Sequence, residues 1–160
     1  TKSHKLKIHD LDLARQKIQA YCAYQERCHM EVTMKLKSWG LIQEAIDLLI
    51  VELIQFNFLN EERYARSFAR GKFRIKKWGK IKIRMALKKR DINFKCIDLS
   101  MLEIDDKTYF NTLKELLQKK NETVKETNSY KRKMKLTSYL VSRGYEYDLI
   151  HDALVELKLS

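Results

Sequence analysis

Thirteen basic side chains crowd into the stretch from Arg63 to Arg90: Arg63, Arg66, Arg70, Lys72, Arg74, Lys76, Lys77, Lys80, Lys82, Arg84, Lys88, Lys89 and Arg90. No Asp or Glu interrupts them. The rest of the chain carries 20 basic against 21 acidic side chains, so this stretch accounts for the entire net charge of +12. Segregated positive charge attracts polyanions and displaces their condensed counterions. The chemistry on offer is contact with nucleic-acid phosphates. A charge run is ordinarily a solvated face kept for solubility, but such faces mix both signs, and this one does not.

Within the stretch, Arg70, Lys72, Arg74, Lys76, Lys77, Lys80, Lys82, Arg84, Lys88, Lys89 and Arg90 are the expected DNA contacts. Such cations position a backbone without reading sequence. Phe73 and Trp78 sit inside the run, where aromatic rings can stack on exposed bases or pack between helices.

No catalytic constellation accompanies them, and the chain reads as a non-enzyme. The acid pairs Glu61-Glu62 and Asp105-Asp106 fall at expected helix starts, where they compensate the helix dipole. His4, His9, His29 and His151 have no metal-ligand or catalytic-base spacing, and no Gly-rich phosphate loop occurs. Cys22, Cys28 and Cys96 lack CxxC spacing and read as free thiols in a reducing, intracellular setting. No metal or cofactor is expected. The longest apolar run, Leu48 to Val51, is too short for a signal peptide or membrane span, so the expected location is the cytoplasm.

The elements that must carry these cations are helices. The chain has no Pro and four Gly, yet is 44% hydrophobic. That leaves little turn chemistry for a sheet and enough apolar material for a core. An internal repeat organises it. Val32, Leu36, Gly40, Ile46, Ile50 and Leu53 recur at the same spacing as Ile83, Leu87, Asp91, Ile97, Met101 and Ile104. They recur again as Leu136, Leu140, Gly144, Ile150, Leu154 and Leu157. Each copy predicts a helix, a left-handed exit at Gly, Asp or Gly, and a second helix.

A longer helix precedes each copy, at about 12–26 (with Leu13 and Ile18 on its face), 61–77 (Tyr64, Phe68, Phe73 and Ile75) and 106–120 (Phe110, Leu113 and Leu117). Asn60 is the expected N-cap of the second. The polar segment 121–130 reads as a loop inserted into the third unit. The expectation is an all-α chain of three tandem three-helix repeats, at 1–57, 58–105 and 106–160. Helix-turn-helix groove reading is disfavoured by charge, because each unit's last helix carries acids such as Glu52, Asp98 and Asp152.

The run Leu59-Asn60-Glu61-Glu62-Arg63-Tyr64-Ala65-Arg66-Ser67-Phe68 resembles the signature of the bacterial regulatory protein RecX family. So does Lys77-Trp78-Gly79-Lys80-Ile81-Lys82-Ile83-Arg84, with Lys88-Lys89-Arg90-Asp91-Ile92 standing where that family usually ends on Lys-Gly-Ile. Met30-Glu31-Val32 with Lys35-Leu36 and Gly40 is similar to the first repeat, and Leu140 with Arg143-Gly144-Tyr145 to the third. Asp91 departs from the usual Gly, but Asp tolerates the left-handed conformation.

This resemblance implies an elongated, curved molecule that binds RecA and RecA–DNA filaments, and a monomer is the expectation set beside it. It implies modulation, chiefly inhibition, of RecA's ATPase, strand-exchange and coprotease activities, and hence a place in DNA repair, homologous recombination and the SOS response. Single- and double-stranded DNA are the other expected partners. The competing expectation is a stand-alone, sequence-indifferent DNA- or RNA-binding protein. Membrane attachment is weaker still, because Gly79 divides the basic run and no broad apolar face accompanies it.

Overall fold

Nine α-helices and one short 3-10 turn make up a computed structural model that describes residues 10–159; no strand occurs among them. The helices fall into three triplets. The first holds α1 (Leu11–Tyr24), α2 (His29–Ser38) and α3 (Gln43–Gln55). In the second, α4 (Glu61–Arg74), α5 (Lys80–Lys89) and α6 (Phe94–Ser100) are followed by the 3-10 turn Met101–Glu103. The third comprises α7 (Asp106–Thr123), α8 (Ser129–Ser142) and α9 (Tyr147–Glu156). His4 and His9 lie outside the described residues. No helix among the described residues is long and apolar enough to cross a membrane.

The repeat columns are the cores of these triplets. Their apolar members are buried except Ile50 and Leu157, which are half-buried. The punctuating residues Gly40, Asp91 and Gly144 all take positive φ, at 81°, 58° and 95°. Each N–H reaches back to the carbonyl three residues earlier, on Lys37, Lys88 and Val141. One helix stop is therefore built three times, and Asp91 adopts the conformation that Gly holds elsewhere.

N-caps behave as their chemistry dictates. The Asn60 side chain accepts from the Arg63 N–H at 2.9 Å, and Asp105 accepts from the Thr108 N–H at 2.9 Å. Three expected positions differ. Helix α1 buries Ala14, Ile18 and Cys22, spaced by four, and leaves Leu13 exposed. Ile75 is exposed because α4 has ended one residue before it. The connection in the third triplet spans only 124–128, not 121–130. There the Arg132 guanidinium donates to the carbonyls of Asn121, Val124 and Glu126, satisfying backbone groups of a short connection whose one apolar anchor is Val124 against the shared core.

Two apolar cores result. Ala14, Ile18, Val32, Leu36, Trp39, Leu49 and Leu59 form one inside the first triplet. The second and third triplets share the other, running from Tyr64 through Leu87 and Ile97 to Leu140 and Ile150. The first junction joins polar contacts to one buried apolar contact: Arg63 bonds the Glu26 carboxylate, the Tyr64 hydroxyl donates to Glu31 at 3.0 Å, and Cys28, at the start of α2, packs into the shared core.

Candidate nucleic-acid interface

The basic stretch occupies α4, α5 and the tight turn between them. Helix α4 stops through Lys77, at φ 55°, with the Lys77 N–H donating to Phe73 O and the Trp78 N–H to Lys72 O. The left-handed residue is thus a lysine; Gly79 serves another purpose. Its N–H donates to Arg143 O at 2.8 Å, and the Ile81 N–H donates to Gly144 O at 3.0 Å. A Cβ on Gly79 would collide with the Gly144 carbonyl, so only hydrogen fits.

Side chains of the third triplet complete the clamp on the turn. Arg143 donates to the carbonyls of Lys76 and Lys77, and the Tyr145 hydroxyl donates to Lys77 O at 2.9 Å. The Tyr109 hydroxyl accepts from the Lys80 N–H at 3.0 Å and donates to Glu146 at 2.6 Å. Burial, reinforced by the hydrogen bond to Glu146, holds the Tyr109 hydroxyl well above its usual pKa.

Folding sorts the thirteen cations. Five of them meet carboxylates brought in from elsewhere in the chain or from the start of their own helix. Arg63 meets Glu26, Arg66 meets Glu62 and Glu103, Arg70 meets Glu103 at 3.3 Å, Lys80 meets Asp106 at 3.3 Å, and Arg84 meets Asp98 at 2.7 Å. Burial opposes the charge on Glu103, but hydrogen bonds from Arg66 and Arg70 outweigh it and keep this carboxyl below its usual range. The acid-free character of the stretch is thus a property of the sequence, not of the whole surface around it. Arg70, Lys80 and Arg84, expected as DNA contacts, face acids from α6, the 3-10 turn and α7.

The remaining cations have no carboxylate within ion-pair distance among the described residues. Arg74, Lys76, Lys88 and Lys89 are exposed, while Lys72, Lys77, Lys82 and Arg90 are half-buried. Three of these eight rest on aromatic rings. The Lys72 and Lys82 ammonium groups lie 4.9 and 4.6 Å from the Trp78 ring centre, and Lys72 also reaches Phe68 at 5.4 Å. The Arg90 guanidinium lies 4.8 Å from the Phe68 ring, and the two rings meet edge to face at 6.5 Å. Each such contact contributes about 0.5–1 kcal/mol at an exposed site and holds a mobile cation in place.

Of the two expected roles, packing is the one that Phe73 takes. Phe73 is buried against Tyr109, their ring centres 5.8 Å apart, and offers no face to a base. Trp78 is half-buried, packed against the shared core with the ammonium groups of Lys72 and Lys82 over its ring. Phe68, which periodicity places only on the helix stripe, is the second such ring. Its spacing of four from Lys72 was the available signal. The arrangement leaves eight cations without carboxylate partners among the described residues, the kind of group that contacts phosphates without reading sequence. Among the described residues no cluster of metal-ligating side chains occurs.

Comparison with known proteins agrees with the arrangement of triplets. Residues 60–101 match the second three-helix domain of RecX, and residues 107–154 match the third. The chain is 35% identical over 131 residues to a regulatory protein RecX of Clostridium acetobutylicum, covering 79% of this chain and 60% of that protein. It is 27% identical over 139 residues to a regulatory protein RecX of Bacillus mycoides, covering 87% and 52%. The chain therefore spans less than two thirds of the length of these curated relatives. A crystal structure of RecX from Lactobacillus salivarius superposes with a TM-score of 0.84 at 24% identity, covering 94% of this chain and 97% of that one. With two successive RecX domains matched in order on its second and third triplets, the chain belongs to the RecX family of regulatory proteins.

Proposed function

We propose that this chain is a non-enzymatic regulator that binds RecA and RecA–DNA filaments and inhibits their ATPase, strand-exchange and coprotease activities. It holds DNA of any sequence through the middle triplet and acts as a cytoplasmic monomer. The observation that carries the DNA half is the unpaired cationic face of α4 and α5, braced by Trp78 and Phe68 and clamped by Arg143 and Tyr145. Membership of the RecX family supports the regulatory half. The concentration of unpaired cations in α4, α5 and their turn fits this division of labour, because it puts the phosphate contacts in the middle triplet.

The test is the ATPase of RecA on single-stranded DNA, titrated with this protein below the amount that saturates the DNA. Inhibition at that ratio requires action on the filament. Inhibition only when the DNA is saturated would identify a stand-alone nucleic-acid-binding protein that competes for the strand.

A further inference from the structure

The structure forms a groove that shares Trp78, Lys82, Lys89 and Arg90 with the cationic face and whose apolar lining phosphate binding does not explain. It lies between α5 and the end of α8 and encloses about 450 Å³. Three of its apolar side chains are about half exposed: Ile81 and Met85, one turn apart on α5, and Val141 across from them. Lys82, Lys89 and Arg90 also line it, and no carboxylate does. Phosphates need the cations but have no use for exposed aliphatic groups. Clustered apolar exposure marks protein contact, and methionine is the side chain that adapts most readily to a partner.

The repeat supplies an internal comparison. One unit earlier, Met30 and Met34 on α2 stand where Ile81 and Met85 stand on α5, and the turn from Arg90 to Ile92 forms the opposite wall. That groove is also lined by Glu61 and Asp91, so its charge is mixed. Of the two, only the α5 groove combines an apolar floor with cations alone.

We infer that the α5 groove docks a polypeptide segment of the protein partner in which an aliphatic side chain is flanked by carboxylates. The apolar group sits on Ile81, Met85 and Val141, and the carboxylates meet Lys82, Lys89 and Arg90. This is the helix-in-groove mode of recognition with charge complementarity added. It rests on the RecA-regulator reading and gives that reading a contact surface: the segment belongs to RecA as assembled in the filament. The basic stretch is then shared: Arg74, Lys76 and Lys77 serve phosphates, whereas Lys82, Lys89 and Arg90 border both surfaces and meet carboxylates when the segment docks.

The experiment compares the parent chain with Ile81→Gln/Met85→Gln/Val141→Gln, measuring binding to RecA filaments on single-stranded DNA and, separately, to bare DNA. The substitutions remove no cation and keep good helix formers in α5, and thermal unfolding checks the fold. Met85→Gln alone serves if the triple variant is unstable. The expected result is filament affinity weakened about tenfold or more, as for loss of a central apolar anchor, with bare-DNA affinity unchanged. Met30→Gln/Met34→Gln should leave both unchanged. Unaltered filament binding in the groove variant overturns the inference, and so does parallel loss on bare DNA, which would assign the groove to nucleic acid. A parent chain that binds DNA but no RecA filament refutes the regulator reading and the groove assignment with it. A parent that binds the filament while the variant binds it equally refutes the groove alone.

Discussion

Gly79 and Gly144 meet backbone to backbone, so close that a Cβ on either would collide with the other's triplet. Far apart in the chain, they join the basic turn to the third triplet as one body. The basic face therefore rides on a clamped turn, although a left-handed lysine stands at its centre.

Gly79→Ala should destabilise the protein by about 1–3 kcal/mol, the usual range for forced overpacking. Gly71 provides the control. It lies within α4, and a methyl added there meets nothing within 4 Å, so Gly71→Ala should stabilise by roughly 0.5–1 kcal/mol through helix propensity. Urea denaturation midpoints that move in the same direction for both variants would refute the close-contact account.

Replacing Lys76, Lys77 and Lys89 with Ala should weaken binding to all duplex sequences alike and flatten the dependence of log affinity on log salt by about 2–3 units. Arg70→Ala/Arg84→Ala should change that slope less, because Glu103 and Asp98 already neutralise those cations. Equal slopes for parent and triple-lysine variant, measured by anisotropy across a salt series, would remove those lysines from the phosphate surface.

Trp78→Leu should reduce DNA affinity about fivefold, the equivalent of roughly 1 kcal/mol of lost cation–π support, while Trp78→Phe should recover much of it. If Trp78 acts by holding Lys72 and Lys82, the loss should be the same on an abasic single strand as on an ordinary one. A loss confined to strands that carry bases would establish stacking instead.

Leu36→Ala, Leu87→Ala and Leu140→Ala should each cost about 2–5 kcal/mol, since all three side chains are fully buried. Their effects should differ in kind. Leu36 belongs to the first triplet's own core, so its variant should unfold in two steps, the first triplet melting early. Leu87 and Leu140 lie in the shared core, and their variants should each lower a common transition. Calorimetry distinguishes the patterns, and a single transition for Leu36→Ala would show that the first junction transmits more stability than its two side-chain hydrogen bonds and the buried Cys28 account for.

Stability should decline in alkali. Burial holds the hydroxyls of Tyr64, Tyr109 and Tyr145 above their ordinary pKa in the folded state. Unfolded tyrosines ionise from about pH 10, so stability present below that pH is lost as pH rises above it. Tyr109→Phe should lower the midpoint at pH 8, by removing the bonds to Lys80 and Glu146, yet show a shallower fall through the alkaline range. Parallel curves for parent and variant would exclude Tyr109 as a contributor to the decline.

The helical class, the threefold repeat, the helix stops at Gly40, Asp91 and Gly144, and the Asn60 cap were all legible in the order of the residues. These follow from local rules: apolar spacing near 3.6, the steric freedom of Gly and Asp at positive φ, and a side chain within reach of nearby N–H groups. The concentration of basic residues was equally plain, because charge is counted along the chain. Which cations remain free is a matter of packing. Glu26, Asp98, Glu103 and Asp106 are separated in sequence from the cations they meet, and only the assembled helices bring them together. Phe73 and Trp78 part company for the same reason. Both lie in the basic run, but the shared core takes one ring inward and leaves the other beneath Lys72 and Lys82. The need for glycine at position 79 likewise arises from Gly144, a neighbour in space but not in sequence, and no local pattern encodes that contact.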